Sequence, residues 1–501
     1  MDSTIQEKKP PYLMLAVLFI GAFVSFLNNS LLNVALPSIM IDLNIENYST
    51  VQWLATGYML VSGVLIPASA FLITRFSNRN LFIASMFIFT LGTAMAAFAP
   101  NFGVLIAGRM VQAAGSSVMG PLLMNIMLVS FPREKRGTAM GVFGLVMITA
   151  PAIGPTLSGY IVEHYDWRVL FEMILPLAVI SLVLAIWKSE NVMEVNKNAT
   201  IDYLSVILST LGFGGLLYGF SSVSNDGWTD PLVLTSLITG GITLILFILR
   251  QLKVEEPILD LRAYKYPMFA LASIIAIVNA VAMFSGMILT PAYVQSVRGI
   301  SPFESGLMML PGAIVMGIMS PITGKLFDKF GPRLLSIGGL GITAVSTYLL
   351  TQLQIDSSYT YIITAYTLRM FGMSMVMMPI MTNGLNQLPA RLYPHGTAIN
   401  NTAQQVSGSI GTAVLITIMN SVAKTEGTSL MANVDPTTFT ESTQALIGQQ
   451  ALLAGINYSF YVALGINIVA LVLALFIKRV DVSKKAVQEL EKTKPVKPAT
   501  N

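Results

Sequence analysis

The sequence predicts an all-α membrane protein: two pseudo-symmetric six-helix bundles, two extra transmembrane helices between them, and both termini on the cytoplasmic side. Three observations carry that fold class. Of 501 residues, 54% are apolar and only 11% are charged, against roughly 25% charged in an average soluble domain. Fourteen apolar stretches are each long enough to cross a bilayer. The second half of the chain repeats motifs of the first at a nearly constant offset.

The charges number 29 Lys plus Arg and 25 Asp plus Glu, too few to cover a soluble surface of this size, so lipid is the solvent for most of the chain. There is no cysteine, and the two histidines are His164 and His395. Disulfides, thiolate sites and a His-rich metal centre are therefore excluded, and neither a metal nor a cofactor is expected.

Residues 1–11 are polar and lead into an apolar stretch at 12–37. A cleavable signal has an apolar region of only about 7 to 15 residues, so this stretch reads as a retained first span. Because a helix rises about 1.5 Å per residue through about 30 Å of hydrocarbon, each span needs roughly 20 residues. On that measure the others run 51–74, 80–99, 102–131, 137–162, 167–187, 201–222, 231–250, 268–294, 303–327, 333–353, 359–388, 396–422 and 455–478. The domains are then a cytoplasmic N-terminus (1–11), a bundle (12–187), a linker with two extra spans (188–267), a second bundle (268–478) and a cytoplasmic tail (479–501). The stretch 423–448 reads as the longest outer loop, and the charged tail as an inner-surface segment.

Orientation follows from basic residues, which cytoplasmic loops retain. With the N-terminus inside, 24 of the 29 cations face the cytoplasm. The net charge of +4 is thus topology and does not call for nucleic acid. Trp53, Trp167 and Trp228 fall at outer boundaries and Trp187 at an inner one, where interfacial anchors belong.

The repeat is clearest at an offset of 254, where Pro67 to Arg79 lies over Pro321 to Arg333 without a gap. Arg109 and Pro121 of the fourth span correspond to Arg369 and Pro379 of the twelfth, and Arg136-Gly-Thr-Ala139 to His395-Gly-Thr-Ala398. Two parallel halves of this kind place a substrate site between them near the midplane.

The loop after the second span of each half reads Ala70-x3-Thr74-Arg75-x-Ser-Asn-Arg79 and Gly324-x3-Asp328-Lys329-x-Gly-Pro-Arg333. Here the chain resembles the major facilitator superfamily, whose signature at this point is Gly-x3-Asp-Arg/Lys-x-Gly-Arg-Arg/Lys. The second copy is close, and the first lacks both Asp and Gly. A carboxylate beside a helix N-terminus, ringed by cations, can latch two helices in one access state and release them in the other. The fifth span carries Gly141-x8-Ala150-Pro-Ala-Ile-Gly154-Pro155-x2-Ser158-Gly159, which resembles the motif of the exporting, antiporter branch. Its small residues permit close helix approach and its prolines bend the helix.

With Leu27-Asn-Asn-Ser-Leu-Leu-Asn33 in the first span, Arg109-x2-Gln112-x2-Gly115 in the fourth and Trp167-Arg-x2-Phe171 opening the sixth, the chain is similar to the fourteen-spanning drug/proton antiporters. These include the lincomycin-type and quaternary-ammonium-type exporters. The resemblance implies a monomeric, multi-pass protein of the bacterial plasma membrane that exports lipophilic drugs against protons by alternating access. Its partners are small-molecule drugs, protons and membrane lipids. The close alternative is export of a native lipid, peptide or metabolite on the same fold. An embedded enzyme or a non-transporting sensor is a remote one.

This sequence departs from the family where many members carry acids: it has Asn28, and also Asn400, Asn401, Gln404 and Gln405, none of which can exchange a proton. Glu172 is the carboxylate that falls inside a span, so it is expected to protonate with Arg109 tuning it. The cavity is expected to draw on Asn28, Asn33, Gln112, Arg369, Met373, Met377, Asn400 and Gln404. Thioethers repack around varied ligands, and amides in place of acids favour neutral, zwitterionic or weakly charged substrates. Gating is expected from Arg75, Arg79, Gly324, Asp328, Lys329 and Arg333, together with Gly154, Pro155 and Gly159.

Overall fold

The computed structural model describes residues 11–46, 48–193, 195–196, 200–432 and 440–481. The predicted N-terminal segment (1–10), most of the tail (482–501) and the side chain of Asn33 lie outside the described residues.

The first half comprises α1 (Tyr12–Asp42), α2 (Tyr48–Arg75), α3 (Asn78–Ala97), α4 (Phe102–Ser130), α5 (Arg136–His164) and α6 (Val169–Lys188). Two further helices follow, α7 (Tyr203–Asp226) and α8 (Pro231–Lys253). The second half comprises α9 (Pro267–Ala292), α10 (Pro302–Phe330), α11 (Pro332–Leu350), α12 (Tyr359–Ser374), α13 (Met377–Asn386), α14 (Tyr393–Ala432) and α15 (Glu441–Ala474). Among the described residues, 13 helical stretches are long and apolar enough to cross a membrane. Ser77, Asn101, Ser301 and Ser358 accept backbone N–H groups at the starts of α3, α4, α10 and α12, satisfying donors that a helix terminus leaves open.

The predicted span 359–388 is a broken helix, interrupted at Met375 and Val376. Pro379 explains the break, because a proline has no N–H to offer the carbonyl four residues back and its ring crowds that carbonyl. That residue is Met375. Pro121, its repeat equivalent, is absorbed within a continuous α4.

The predicted outer loop 423–448 is also largely helical. α14 runs on to Ala432 and α15 begins at Glu441. Thr425 and Thr428 donate to the carbonyls of Ser421 and Lys424 one turn earlier, so polar composition at this point marks a helix leaving the apolar layer.

The extra helices α7 and α8 form a hairpin whose glycines serve packing. A Cβ on Gly215 would strike the backbone of Gly240, and one on Gly212 the backbone of Leu244. Such small-residue seams let helices attract through dispersion where lipid removes the hydrophobic drive. The hairpin packs on both α2 and α14. Trp53 stacks on Tyr218 at 5.6 Å, and Trp228 donates to Thr417 Oγ1 at 2.8 Å. Trp167, expected as an interfacial anchor, is buried and donates to Asp42 Oδ2 at 3.1 Å. It is a structural tie between α1 and the start of α6.

At one end of the hairpin Arg250 Nε donates to Asp202 at 2.7 Å. The Arg250 hydrogen bond holds the Asp202 carboxyl down at about 2. A depressed folded value stabilises the fold above the unfolded value near 4 and loses that contribution as pH falls toward 2. Asp202→Asn should therefore lower the melting temperature of the detergent-purified protein at pH 7 by an amount matching about 1 kcal/mol or less. The gap to the parent should narrow when the melts are repeated below about pH 4. An undiminished gap there would remove the pair as its cause.

Candidate functional site

The two halves meet along α5 with α10 and along α2 with α14. α5 and α10 run against each other on glycine. A Cβ on Gly324 would strike the carbonyl of Gly137, one on Gly141 the backbone of Ser320 and Pro321, and one on Gly159 the side chain of Phe303. Gly154 fits against Ser30 of α1, so the exporter-like motif serves two neighbours at once. Pro151 and Pro155 lie within the same helix.

This close approach brings Asp328 to the first turn of α5. Its carboxylate accepts the N–H groups of Gly137 and Thr138, both at 2.9 Å, and the Thr138 hydroxyl at 2.6 Å. An acid at a helix N-terminus also meets the positive end of the helix dipole. The carbonyls of Asp328 and Lys329 accept Arg479. Arg333 is exposed.

Beside the latch, two arginines first noticed as topology charges reach across the halves. Arg133 donates to the carbonyls of Asn386 at 2.7 Å and Leu388 at 3.1 Å. Arg136 donates to Asn386 Oδ1 at 3.0 Å and the Tyr393 hydroxyl at 2.9 Å, and also to the Leu128 carbonyl. One buried apolar cluster runs through Met124, Met127 and Phe143 of the first half into Met378, Met381 and Leu385 of the second. The halves are thus closed over one another at the end that carries the basic loops. Nothing in the pattern of Arg133 distinguished such a role from ordinary loop charge.

The first motif copy makes no such bridge. Arg79 donates to the Ile186 carbonyl at 2.8 Å, within its own half, and Thr74 donates to Ala70 of its own helix. Arg75 is half-buried. Replacing the family's Asp by Thr74 removes the only atom there that could accept several N–H groups with charge.

Within the first half Arg109 is fully buried. It donates to Gln112 Oε1 at 2.9 Å and to the Leu54 carbonyl at 3.4 Å, and lies 4.3 Å over the Tyr58 ring. Gln112 passes the chain on to Thr93 at 2.9 Å and Asn28 at 3.4 Å, and the Tyr58 and Ser116 hydroxyls are hydrogen-bonded at 2.6 Å. Asn28 and Gln112, expected in the substrate cavity, are instead buried in a hydrogen-bond chain with Arg109. Tyr58, Thr93 and Ser116 carried no sequence signal. Glu172, however, is exposed in the first turn of α6, and α6 packs on α1 and α3. The expected Glu172–Arg109 pairing is not formed, because Arg109 turns inward to amide, carbonyl and ring.

Arg369 likewise does not face the pathway. It donates to the Ala282 carbonyl, to Ser285 Oγ at 3.0 Å and to Thr347 Oγ1 at 3.4 Å, and a Cβ on Gly286 would collide with its guanidinium. Packing against a glycine lets a buried cation reach backbone acceptors in place of a counter-charge. Met373 is core, clustered with Met316, Tyr366 and Met370, and Asn400 accepts from Ser273 Oγ at 2.9 Å. Met377 and Gln404 do line a shared cleft, with Asn279, Met283 and Phe284, whose enclosed volume is about 30 Å³. Asn279 was not singled out in the sequence.

Two packed helical halves that meet at a carboxylate-to-helix contact and enclose buried polar groups are the layout of a membrane transporter. The Major Facilitator Superfamily model matches residues 18–412, and the chain belongs to that superfamily. It is a multi-pass protein of the bacterial plasma membrane and not an enzyme. It is similar to the uncharacterized MFS-type transporter YhcA of Bacillus subtilis (strain 168), 52% identical over 83% of this chain and 78% of that one. It is also 45% identical to the lincomycin resistance protein LmrB of the same organism, over 95% of this chain and 98% of the relative. Among solved structures, the human organic anion transporter MFSD10 superposes with a TM-score of 0.64 at 13% identity, covering 93% of this chain and 100% of that one.

The latch has a direct test. Asp328→Asn removes the charge and one strong acceptor position, a loss of roughly 1.5–3 kcal/mol. A cysteine placed at buried Met378 should then react with a membrane-impermeant thiol reagent about tenfold faster or more, since 1.4 kcal/mol is tenfold in an equilibrium. Equal rates with and without the Asp328 change would mean that the seam holds without the carboxylate.

Proposed function

We propose that the protein exports lipophilic small molecules from the cytoplasm by proton-driven alternating access. In this reading the end carrying the basic loops is cytoplasmic, and the described conformation is the one closed to the cytoplasm. The observation that carries the proposal is Asp328 accepting Gly137, Thr138 and the Thr138 hydroxyl. This carboxylate gives the reading a candidate proton site at the seam, because a carboxylate accepts more hydrogen bonds ionised than protonated.

The lining of the small second-half cleft supports a substrate class. Met283, Phe284 and Met377 offer apolar and polarizable surface, and Asn279 and Gln404 offer neutral hydrogen-bonding groups. Such a lining suits neutral, zwitterionic or weakly charged lipophiles better than dications. The relative named for lincomycin resistance supports the same class, and a lincosamide is the natural first compound to assay.

The test uses proteoliposomes with an imposed pH gradient and a panel running from a lincosamide to a dicationic drug. Gradient-dependent transport of the lincosamide should exceed that of the dication, and Asp328→Asn should uncouple it from the gradient. Glu172→Gln should leave coupling intact. Loss of coupling in Glu172→Gln with retention in Asp328→Asn would return the proton site to α6, and transport indifferent to the gradient would sink proton coupling itself.

A further inference from the structure

A cavity of about 530 Å³ lies at the basic end, apart from the latch and the cleft. It is bounded by Thr74 of α2, by the connection between α8 and α9, and by His395 in the first turn of α14. His395 Nδ1 lies 3.0 Å from the backbone nitrogen of Asp260 in that connection. A peptide N–H can only donate, so Nδ1 must be the bare nitrogen and the imidazole must be neutral, with its proton on Nε2. A protonated ring carries N–H on both nitrogens and cannot accept this bond. Protonation therefore sets two donors face to face and strands the Asp260 N–H.

The repeat shows why this contact matters. His395 occupies the place of Arg136, whose permanent charge bonds Asn386 and Tyr393. At α5 the Thr138 hydroxyl donates to Asp328, whereas at α14 the equivalent Thr397 hydroxyl turns back to the Pro394 carbonyl. The residue facing it from α2 is Thr74, without a carboxylate. The start of α14 is thus tied to the α8–α9 connection through an imidazole whose pKa burial pushes below its ordinary value. The charged groups around the cavity are Glu255, Glu256 and Asp260 against Arg262, Lys265 and Arg391, and α2 contributes only Phe71 and Thr74. Burial and Arg262 oppose a charged ring, while the Asp260 carboxylate and a backbone hydrogen bond at Ile258 favour it; the Asp260 N–H is the contact that only the neutral ring can accept.

We propose that His395 is the proton-responsive residue of the cytoplasmic gate on the α2–α14 side. When neutral it accepts from Asp260 and holds the start of α14 against the α8–α9 connection. When protonated it lets go, and that side of the basic end opens. The proposal rests on the alternating-access reading and deepens it: acidification of the cytoplasm favours the conformation that admits substrate.

The chain has no cysteine, so a pair introduced at Phe76 and Ala390 can be spin-labelled without further changes. Distances are measured in lipid nanodiscs from about pH 8 to about pH 4.5, a range that extends below the ordinary imidazole value because burial lowers that of His395. The otherwise unaltered protein should gain a longer-distance population as pH falls. His395→Gln, whose carbonyl can accept from Asp260 at any pH, should stay short throughout, with His395→Asn serving if the first variant does not fold. His395→Arg, which has donors only, should be long throughout. A pH response in His395→Gln equal to that of the parent, or no response in the parent, overturns the proposal. The measurement needs no substrate, so a pH-dependent distance without gradient-driven export would overturn the export reading and leave the gate standing.

Discussion

Everything at the basic end depends on how closely α5 and α10 approach. Gly137 and Gly324 place backbone against backbone, and only at that separation can Asp328 of one half reach two amides and a hydroxyl of the other. A single methyl group at either glycine would push the helices apart and leave the carboxylate facing orphaned N–H groups. The packing and the electrostatics are therefore one device. The glycines set the distance, the helix N-terminus supplies the donors, and the acid converts proximity into charge-assisted hydrogen bonds.

The same economy governs the buried arginines. A guanidinium in the bilayer is costly, and the usual remedy is a carboxylate. Here Arg109 and Arg369, fully buried at matching places in the two halves, take amides, hydroxyls and carbonyls instead. Neither is neutralised by a charge that a proton could remove. The Asp328 carboxylate and His395 lie instead at the basic end. The acid on α6 makes no pair with Arg109, whose Nε and one terminal nitrogen bond within α2 and α4 while the other terminal nitrogen is buried without a hydrogen-bond partner.

Much of this was legible in the sequence because lipid imposes a simple ruler. Hydrocarbon thickness fixed the spans, and the repeat revealed the two halves through Pro67 to Arg79 and Pro321 to Arg333. The Asp328 latch was readable because its chemistry is local. Less readable were contacts that depend on which face of a helix turns inward. Arg369, Met373 and Asn400 pack among buried groups of the second half, and Met377 and Gln404 line the small cleft within that half. Depth comes from position along a helix, whereas facing comes from packing against neighbours far away in sequence. The break at Met375 followed from Pro379, yet Pro121 at the matching place leaves α4 whole. A proline states a preference that tertiary contacts then accept or refuse.

The two sides of the basic end are built differently from one repeated plan. On the α5–α10 side a carboxylate caps a helix, and Arg136 beside it keeps its charge at any physiological pH. On the α2–α14 side Thr74 has replaced the carboxylate, His395 stands where the arginine would be, and the connection from the extra helix α8 supplies the partner through Asp260. A cap that has been lost from one repeat leaves its helix start in need of another contact, and a connection that exists only because two helices were inserted provides it. The inserted hairpin packs on α2 and α14 as well, so it touches both walls of the side whose own latch is missing. The extra pair thus serves the gate as structure. It gives the α2–α14 side a contact that the repeated halves do not provide, and it makes that contact depend on a neutral imidazole.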